Sequence, residues 1–256
     1  MNKRDELENL LKSLLEKSAA DRSFKLENIE EGPGFLILQT FTESHYRGVT
    51  LPGELFLPDV KFDKEFWNTL VEINSPHFEK IVFLDLETRG LSRNEPIFIA
   101  GLLFPREDGS EVSQFVAKTA KKEKLLLQWV MEKIENYAVF TYNGKAFDIP
   151  FIKYRCEFHG LDYIDPKLHF DLLPYSRYIW KETFNSKALK VLECNVMDYN
   201  REFDVPSFIV PDIIKRYRTT GDKRYLEIVV RHNLYDLIAT LKLLEKISFL
   251  LMNSFL

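Results

Sequence analysis

Cysteine is scarce in this chain: Cys156 and Cys194 are the 2 present among 256 residues, far apart and without metal-type spacing. That excludes a disulfide-stapled scaffold and a cysteine-built zinc site, and leads us to expect reduced thiols in a cytoplasmic protein. Long apolar runs are missing too. The charged start, Met1-Asn-Lys-Arg-Asp-Glu, leads into an amphipathic pattern, so neither a secretory signal nor a membrane span is expected. Positive charge is not in excess, since 35 Lys and Arg against 39 Asp and Glu leave a net charge of −4. This argues against a protein that coats nucleic acid non-specifically, but leaves room for a local basic groove beside an acidic site. Internal repeats and low-complexity segments are also lacking. What is present is 45% hydrophobic content, which can supply one large α/β domain plus an accessory piece.

The most informative stretch is Lys80 to Leu91, reading Lys-Ile-Val-Phe-Leu-Asp-Leu-Glu-Thr-Arg-Gly-Leu. A run that is β-branched and aromatic at its start and stopped by Arg-Gly predicts a buried central strand. Asp85 and Glu87 fall inside it. Strand side chains alternate faces, so both carboxylates share one face while Leu84 and Leu86 take the other. Two like charges in one small site are costly unless a cation compensates them, and a divalent metal does so best. The alternative is that the strand ends by Asp85 and both acids are solvated.

Residues 4 to 19 place Leu7, Leu10, Leu11, Leu14 and Leu15 at helical spacing. From Gly32 to Leu57, Gly-Pro-Gly, Phe35-Leu-Ile-Leu-Gln-Thr-Phe, His45-Tyr-Arg-Gly and Leu51-Pro-Gly suggest short strands and turns. A short helix is expected from Phe62 to Ile73. Residues 1–76 thus read as an N-terminal accessory segment and 77–256 as the main domain. There, Pro96 to Phe104 and Glu111 to Ala117 read as strands joined by Glu107-Asp-Gly-Ser, so three consecutive strands predict an antiparallel meander. Lys122 to Tyr137 reads as a helix crossing back to a fourth strand, Ala138 to Tyr142. Beyond Phe151 the pattern is mostly helical, ending in a long helix from about Asp222 past Leu250 with Val230, Leu234, Leu237, Leu241 and Leu244 as its core stripe.

Two further acids stand out. Asp148 follows the fourth strand in Tyr142-Asn-Gly-Lys-Ala-Phe-Asp-Ile-Pro, where ligand-binding groups collect in α/β sheets, although Asp before Ile-Pro is also a good helix cap. Asn143-Gly144 reads equally well as a plain turn. In the last helix His232 and Asp236 lie one turn apart on one face, which is either part of a site or a local pair. Asp85, Glu87, Asp148 and Asp236 together are the oxygen ligands that hard cations such as Mg²⁺ or Mn²⁺ demand.

On these motifs, Phe83-Leu-Asp-Leu-Glu-Thr, Tyr142-Asn-Gly-Lys-Ala-Phe-Asp and His232-Asn-Leu-Tyr-Asp, the chain resembles the DEDD exonuclease superfamily of ribonuclease H-like proteins, and more closely its YprB-type family. His169-Phe-Asp-Leu-Leu, Val205-Pro-Ser and Tyr217-Arg-Thr-Thr-Gly-Asp also resemble the YprB-type pattern, so the likeness spans about Lys80 to Leu244, with a weaker one from Gly32 to Gly48. The resemblance implies a ribonuclease H-like mixed β-sheet flanked by helices. It also implies two divalent cations held by Asp85, Glu87, Asp148 and Asp236, one activating water and the other stabilising the departing 3′ oxygen. His232 would then be the general base. Superfamily third motifs usually carry His five residues before Asp or Tyr four before it; here His232 combines the histidine chemistry with the tyrosine spacing.

The function so implied is metal-dependent 3′-to-5′ exonuclease action on single-stranded DNA or RNA with a free 3′ end. Alternatives are a hydrolase of short oligonucleotides and a non-catalytic nucleic-acid-binding module on the same fold. Candidate phosphate contacts are Lys118, Lys121, Lys122 and Lys124, and then Lys215, Arg216, Arg218, Lys223 and Arg224, with Phe147 as a candidate base-stacking group.

Overall fold

The structure is a computed structural model that describes residues 3–20, 28–44, 81–197, 199, 201 and 205–253. The segments expected around His45, Leu51, Phe62–Ile73 and the boundary at 76/77 lie outside these residues. Strand β3 (Ile81–Thr88) is an interior strand of the mixed sheet, which has seven strands among the described residues. Its first half, Ile-Val-Phe-Leu, suits a pleated and doubly covered position because β-branched and aromatic side chains pack well there. Strands β4 (Ile97–Arg106) and β5 (Gly109–Ala117) follow as the antiparallel meander expected from the sequence. A 3₁₀ turn at Ala120–Lys122 leads into helix α2 (Glu123–Ile134), which returns the chain to β6 (Ala138–Thr141), parallel to β3. Beyond helix α3 (Asp148–Phe158), β7 (Leu168–Asp171) pairs in parallel with β6. That last strand was not expected: its four residues are too few for alternation to be read against a helical background.

Strands β1 (Ile29–Gly32) and β2 (Phe35–Thr42) form a hairpin that joins the same sheet along β5, giving the order β1-β2-β5-β4-β3-β6-β7. Helix α1 (Lys3–Ala20) buries Leu11 and Leu14 with Leu36 and Leu38 of β2, in a cluster completed by helix α6 (Val210–Thr220). Short helices α4 (Leu172–Ile179) and α5 (Leu189–Val196) precede α6, and α7 (Lys223–Asn253) closes the chain. Among the described residues, no helix is long and apolar enough to cross a membrane.

The alternation of β3 decides which layer meets the acids. Val82, Leu84 and Leu86 pack with Leu126, Leu127 and Val130 of α2 and Phe151 and Ile152 of α3. Ile81 and Phe83 point the other way, into a cluster with Leu234, Leu237, Leu241 and Leu244 of α7. Continuing that register, Asp85 and Glu87 emerge on the α7 side. Phe83 and Phe140, both fully buried and with ring centroids 5.6 Å apart, each contribute about 1.5–3 kcal/mol of burial.

The loop between β3 and β4 is fixed by a buried ionic cluster. Glu123, 0% exposed at the start of α2, accepts from the Ile97 amide at 2.8 Å, from Arg155 Nε at 2.8 Å and from His159 Nε2 at 2.7 Å. Arg155 in turn donates to the Arg93 and Asn94 carbonyls, and the Tyr154 hydroxyl donates to Asn94 Oδ1 at 2.7 Å. The loop rim, including the exposed Leu91, is thereby anchored to α3.

Candidate active site

Asp85, Glu87, Asp148 and Asp236, together with His232, line a single cavity of about 280 Å³. Three separate stretches of chain supply them. The edge of β3 facing α7 presents Asp85 and Glu87, and the approach of the helix depends on Gly101, which pairs with Asp85 across β4. A Cβ at Gly101 would lie 2.1 Å from Asn233 Oδ1, so only glycine lets Asn233 of α7 reach over the sheet. Asn233 Nδ2 then donates to Asp85 Oδ2 at 2.7 Å and to the Asp85 carbonyl at 3.1 Å, while its own Oδ1 accepts from Gln114 Nε2 at 2.7 Å. Neither Asn233 nor Gln114 was singled out in the sequence. A glutamine inside the apolar run of β5 was the available signal.

The second stretch is the turn after β6. Asn143 has φ 67°, and Gly144 lies so close over Thr141 that a Cβ there would be 2.2 Å from the Thr141 hydroxyl. This turn is more than a connection, because Asp171 at the end of β7 holds it open. Its Oδ1 accepts from the Asn143 amide at 2.7 Å and the Leu173 amide at 3.0 Å, and its Oδ2 accepts from the Lys145 amide at 3.1 Å. Asp148 is then the first residue of α3, and Phe147 takes the cap position. The carboxylate of Asp148 reaches back to accept the Leu86 amide at 3.1 Å, tying the second stretch to β3. The alternative reading of Asp148 as a helix cap is therefore not what this side chain performs.

The third stretch is α7. One turn separates His232 from Asp236, with Nε2 3.6 Å from Asp236 Oδ2 and 4.0 Å from Glu87 Oε1, too long for hydrogen bonds. The Ser207 hydroxyl lies 3.4 Å from the same nitrogen. Asp236 Oδ1 accepts from Arg201, whose guanidinium also pairs with the fully buried Glu193 of α5. Arg201 was not anticipated, since no local pattern marks a residue that acts across 35 positions.

The electrostatics follow from this crowding. Burial, followed by repulsion from Asp236, Glu87 and Asp148, holds the Asp85 carboxyl well above its ordinary range. Asp148 is pushed up to about 7, chiefly by burial, against the lowering effect of backbone amides. Among the described residues, no group of three or more His, Cys, Asp or Glu side chains is drawn into metal-holding geometry. The donor chemistry nevertheless suits a hard divalent cation: four carboxylates share one cavity, and three of them oppose the ionisation of Asp85, a strain that positive charge relieves. Arg201 supplies part of that charge at Asp236.

The two lysine- and arginine-rich runs contribute nothing to this cavity. Lys118 pairs with Glu31 at 2.5 Å, Lys122 lies over the Phe35 ring, Arg216 pairs with Glu8 and Arg224 with Asp222 at 2.6 Å. Phe147 does line it, while also packing on Phe151 with centroids 5.3 Å apart.

A strand with two acids, a turn-borne third and a helical fourth around a mixed sheet agree with what known proteins show. Residues 82–248 match the RNase H superfamily, and the chain belongs to that superfamily. It is 31% identical over 171 residues to the uncharacterized protein YprB of Bacillus subtilis, which accords with the DEDD and YprB-type resemblance of the motifs. It is also 26% identical over 172 residues to a DNA polymerase of Methanocaldococcus jannaschii. These alignments take in 64% and 50% of this chain but 40% and 10% of the two relatives, so the chain spans less than half the length of each. In three dimensions it is similar to the family B DNA polymerase of the hyperthermophilic archaeon Pyrobaculum calidifontis, with TM-score 0.54, 18% identity, and coverage of 69% of this chain and 25% of that one. That likeness concerns the fold.

Proposed function

We propose that this protein is a metal-dependent 3′-to-5′ exonuclease acting on single-stranded DNA or RNA, located in the cytoplasm. The observation that carries the reading is the convergence of Asp85, Glu87, Asp148 and Asp236 on one cavity from three distant stretches of chain, where the other three acids oppose the ionisation of Asp85. Buried carboxylates without a compensating partner are costly enough that a structure retains them only for a purpose. The superfamily and the similarity to a DNA polymerase favour nucleic acid as the substrate.

In this reading Asp85, Glu87, Asp148 and Asp236 would hold two divalent cations, Mg²⁺ or Mn²⁺, which would supply Lewis acidity toward phosphoryl oxygen and the attacking water. His232 takes the proton from that water. Its Nε2 faces the cavity between Asp236 and Glu87, and the Ser207 hydroxyl beside it helps to orient the ring. Asn233 fixes the rotamer of Asp85, and Asp171 fixes the turn that delivers Asp148. Arg201 keeps Asp236 from swinging away.

The test is digestion of end-labelled single-stranded DNA and RNA with Mn²⁺ or Mg²⁺. Mononucleotides released stepwise from the 3′ end are expected, with loss of cleavage in EDTA and in Asp85→Asn, Glu87→Gln or Asp236→Asn proteins that retain native circular dichroism. Rapid cutting of a circular single strand, or full activity in EDTA, would overturn the reading.

A further inference from the structure

The cavity holding the acids is one lobe of a longer cleft. Asp85, Tyr142, Asn143, Ser207 and Asp236 also line a second and larger space of about 660 Å³. The lobes differ in character. Glu87, Asp148, Leu91 and Phe147 belong to the smaller alone; the larger adds no acid to the shared pair and instead brings Arg177, Lys187, Asn185 and Ser186.

Arg177 is exposed on α4, one turn beyond Leu173, which lines the same lobe. Among the described residues, neither Arg177 nor Lys187 is drawn into a salt bridge with a carboxylate. The Lys187 ammonium donates to the Phe184 carbonyl, and the Tyr142 hydroxyl donates to the Lys187 carbonyl. The segment bearing Lys187 is therefore pinned to the turn that also carries Asn143. A cation-lined lobe continuous with an acid-lined one is the charge pattern expected where a polyanion enters and is cut at the boundary: the acid-lined lobe takes the reacting phosphate, and the exposed guanidinium takes the next one.

We propose that the larger lobe is the seat of the nucleotide next inward from the cleaved end, with Arg177 as the contact to its phosphate. This rests on the nuclease reading above and makes it more specific: the substrate is a strand with at least one linkage upstream of the bond that is cut. The runs Lys118–Lys124 and Lys215–Arg224, which looked more basic in the sequence, do not line this lobe.

The experiment compares wild type, Arg177→Ala and Arg177→Lys in binding fluorescent single-stranded dT12 in Ca²⁺ buffer across a salt series, with thymidine 5′-monophosphate as the probe of the smaller lobe. Arg177→Ala is expected to weaken dT12 binding about tenfold, as for loss of a hydrogen bond to a charged group. Its log K against log salt slope should shrink by about 0.7, the value for one phosphate contact on a single strand. Arg177→Lys should keep the slope, since the charge remains, while losing part of the affinity with the guanidinium fork. Monophosphate binding should be unaltered in both variants. Equal dT12 affinity and slope in wild type and Arg177→Ala would overturn the assignment, as would equal loss for dT12 and the monophosphate, or no dT12 binding by the wild type. Arg177-dependent binding without any cleavage in Mn²⁺ would instead overturn the exonuclease reading and leave the subsite standing.

Discussion

Replacing Asp148 with Asn should make the metal-free protein more stable at neutral pH, although it removes a proposed metal ligand. Asp148 is 4% exposed, and its carboxyl is raised from an ordinary 3.8 to about 7, first by burial and then by repulsion from Asp171 and Asp236. A raised carboxyl pKa means that, between these values, the unfolded chain is ionised while the native state still holds its proton. Stability therefore falls as pH rises through this window and levels off above about 7. About three pH units at ~1.4 kcal/mol each amount to a penalty of about 4 kcal/mol, present in full at pH 8. The amide keeps an oxygen to accept the Leu86 N–H, so the native contact at 3.1 Å is preserved while the charge is removed. At about 2–4 °C per kcal/mol for a chain of this size, Asp148→Asn should melt about 10 °C above wild type in EDTA at pH 8. The gap should shrink steadily below pH 7 and close near pH 4. Saturating Mn²⁺ should narrow it, because a ligand that binds only the native wild type raises its stability by RT ln(1 + [L]/Kd). Melting followed by circular dichroism from pH 4 to 8.5, with and without Mn²⁺, checks this. A variant that is less stable than wild type at pH 8, or a gap that ignores pH, would refute the argument that burial, aided by Asp171 and Asp236, holds the Asp148 carboxyl up.

His232→Ala should lower single-turnover cleavage by about 10² to 10⁴ at saturating Mn²⁺ while leaving metal affinity in place, and His232→Gln should not rescue it; matching rates and pH profiles would remove His232 as the base. Gly101→Ala would put a Cβ 2.8 Å from Leu237 Cδ1 and 2.1 Å from Asn233 Oδ1, so it should cost about 1–3 kcal/mol and weaken Mn²⁺ binding by releasing Asp85, measurable by denaturant melts and calorimetric titration. Unchanged Mn²⁺ affinity would mean that Asn233 does not organise Asp85. Glu123→Gln should destabilise by about 3–5 kcal/mol, because it leaves Arg155 buried at 3% side-chain exposure without its charge partner; a denaturant midpoint within error of wild type would contradict the clamp on the 89–96 loop.

Local order in the sequence was sufficient for much of this architecture. Alternation along Ile81–Thr88 determined that Asp85 and Glu87 share a face, since strand periodicity is a property of the backbone alone. Helical spacing determined the stripe of Leu234, Leu237, Leu241 and Leu244, and with it the face on which His232 and Asp236 rise. Only the tertiary structure decided which acids meet and what supports them. The carboxylate of Asp148 reads locally as a cap, but the folded chain offers it the Leu86 amide 62 residues away. What Asn233, Gln114, Asp171 and Arg201 do at the site is not legible locally, even where the residue lies inside a motif as Asn233 and Asp171 do, because each reaches backbone or charge that is remote in sequence. The same reason separates the basic residues. Lys118 and Arg216 belong to dense runs but are spent on nearby glutamates, whereas Arg177, isolated in the sequence, lines the cleft because a short helix turns it there. Charge density is legible in a linear chain; the direction in which a charge faces is set by packing.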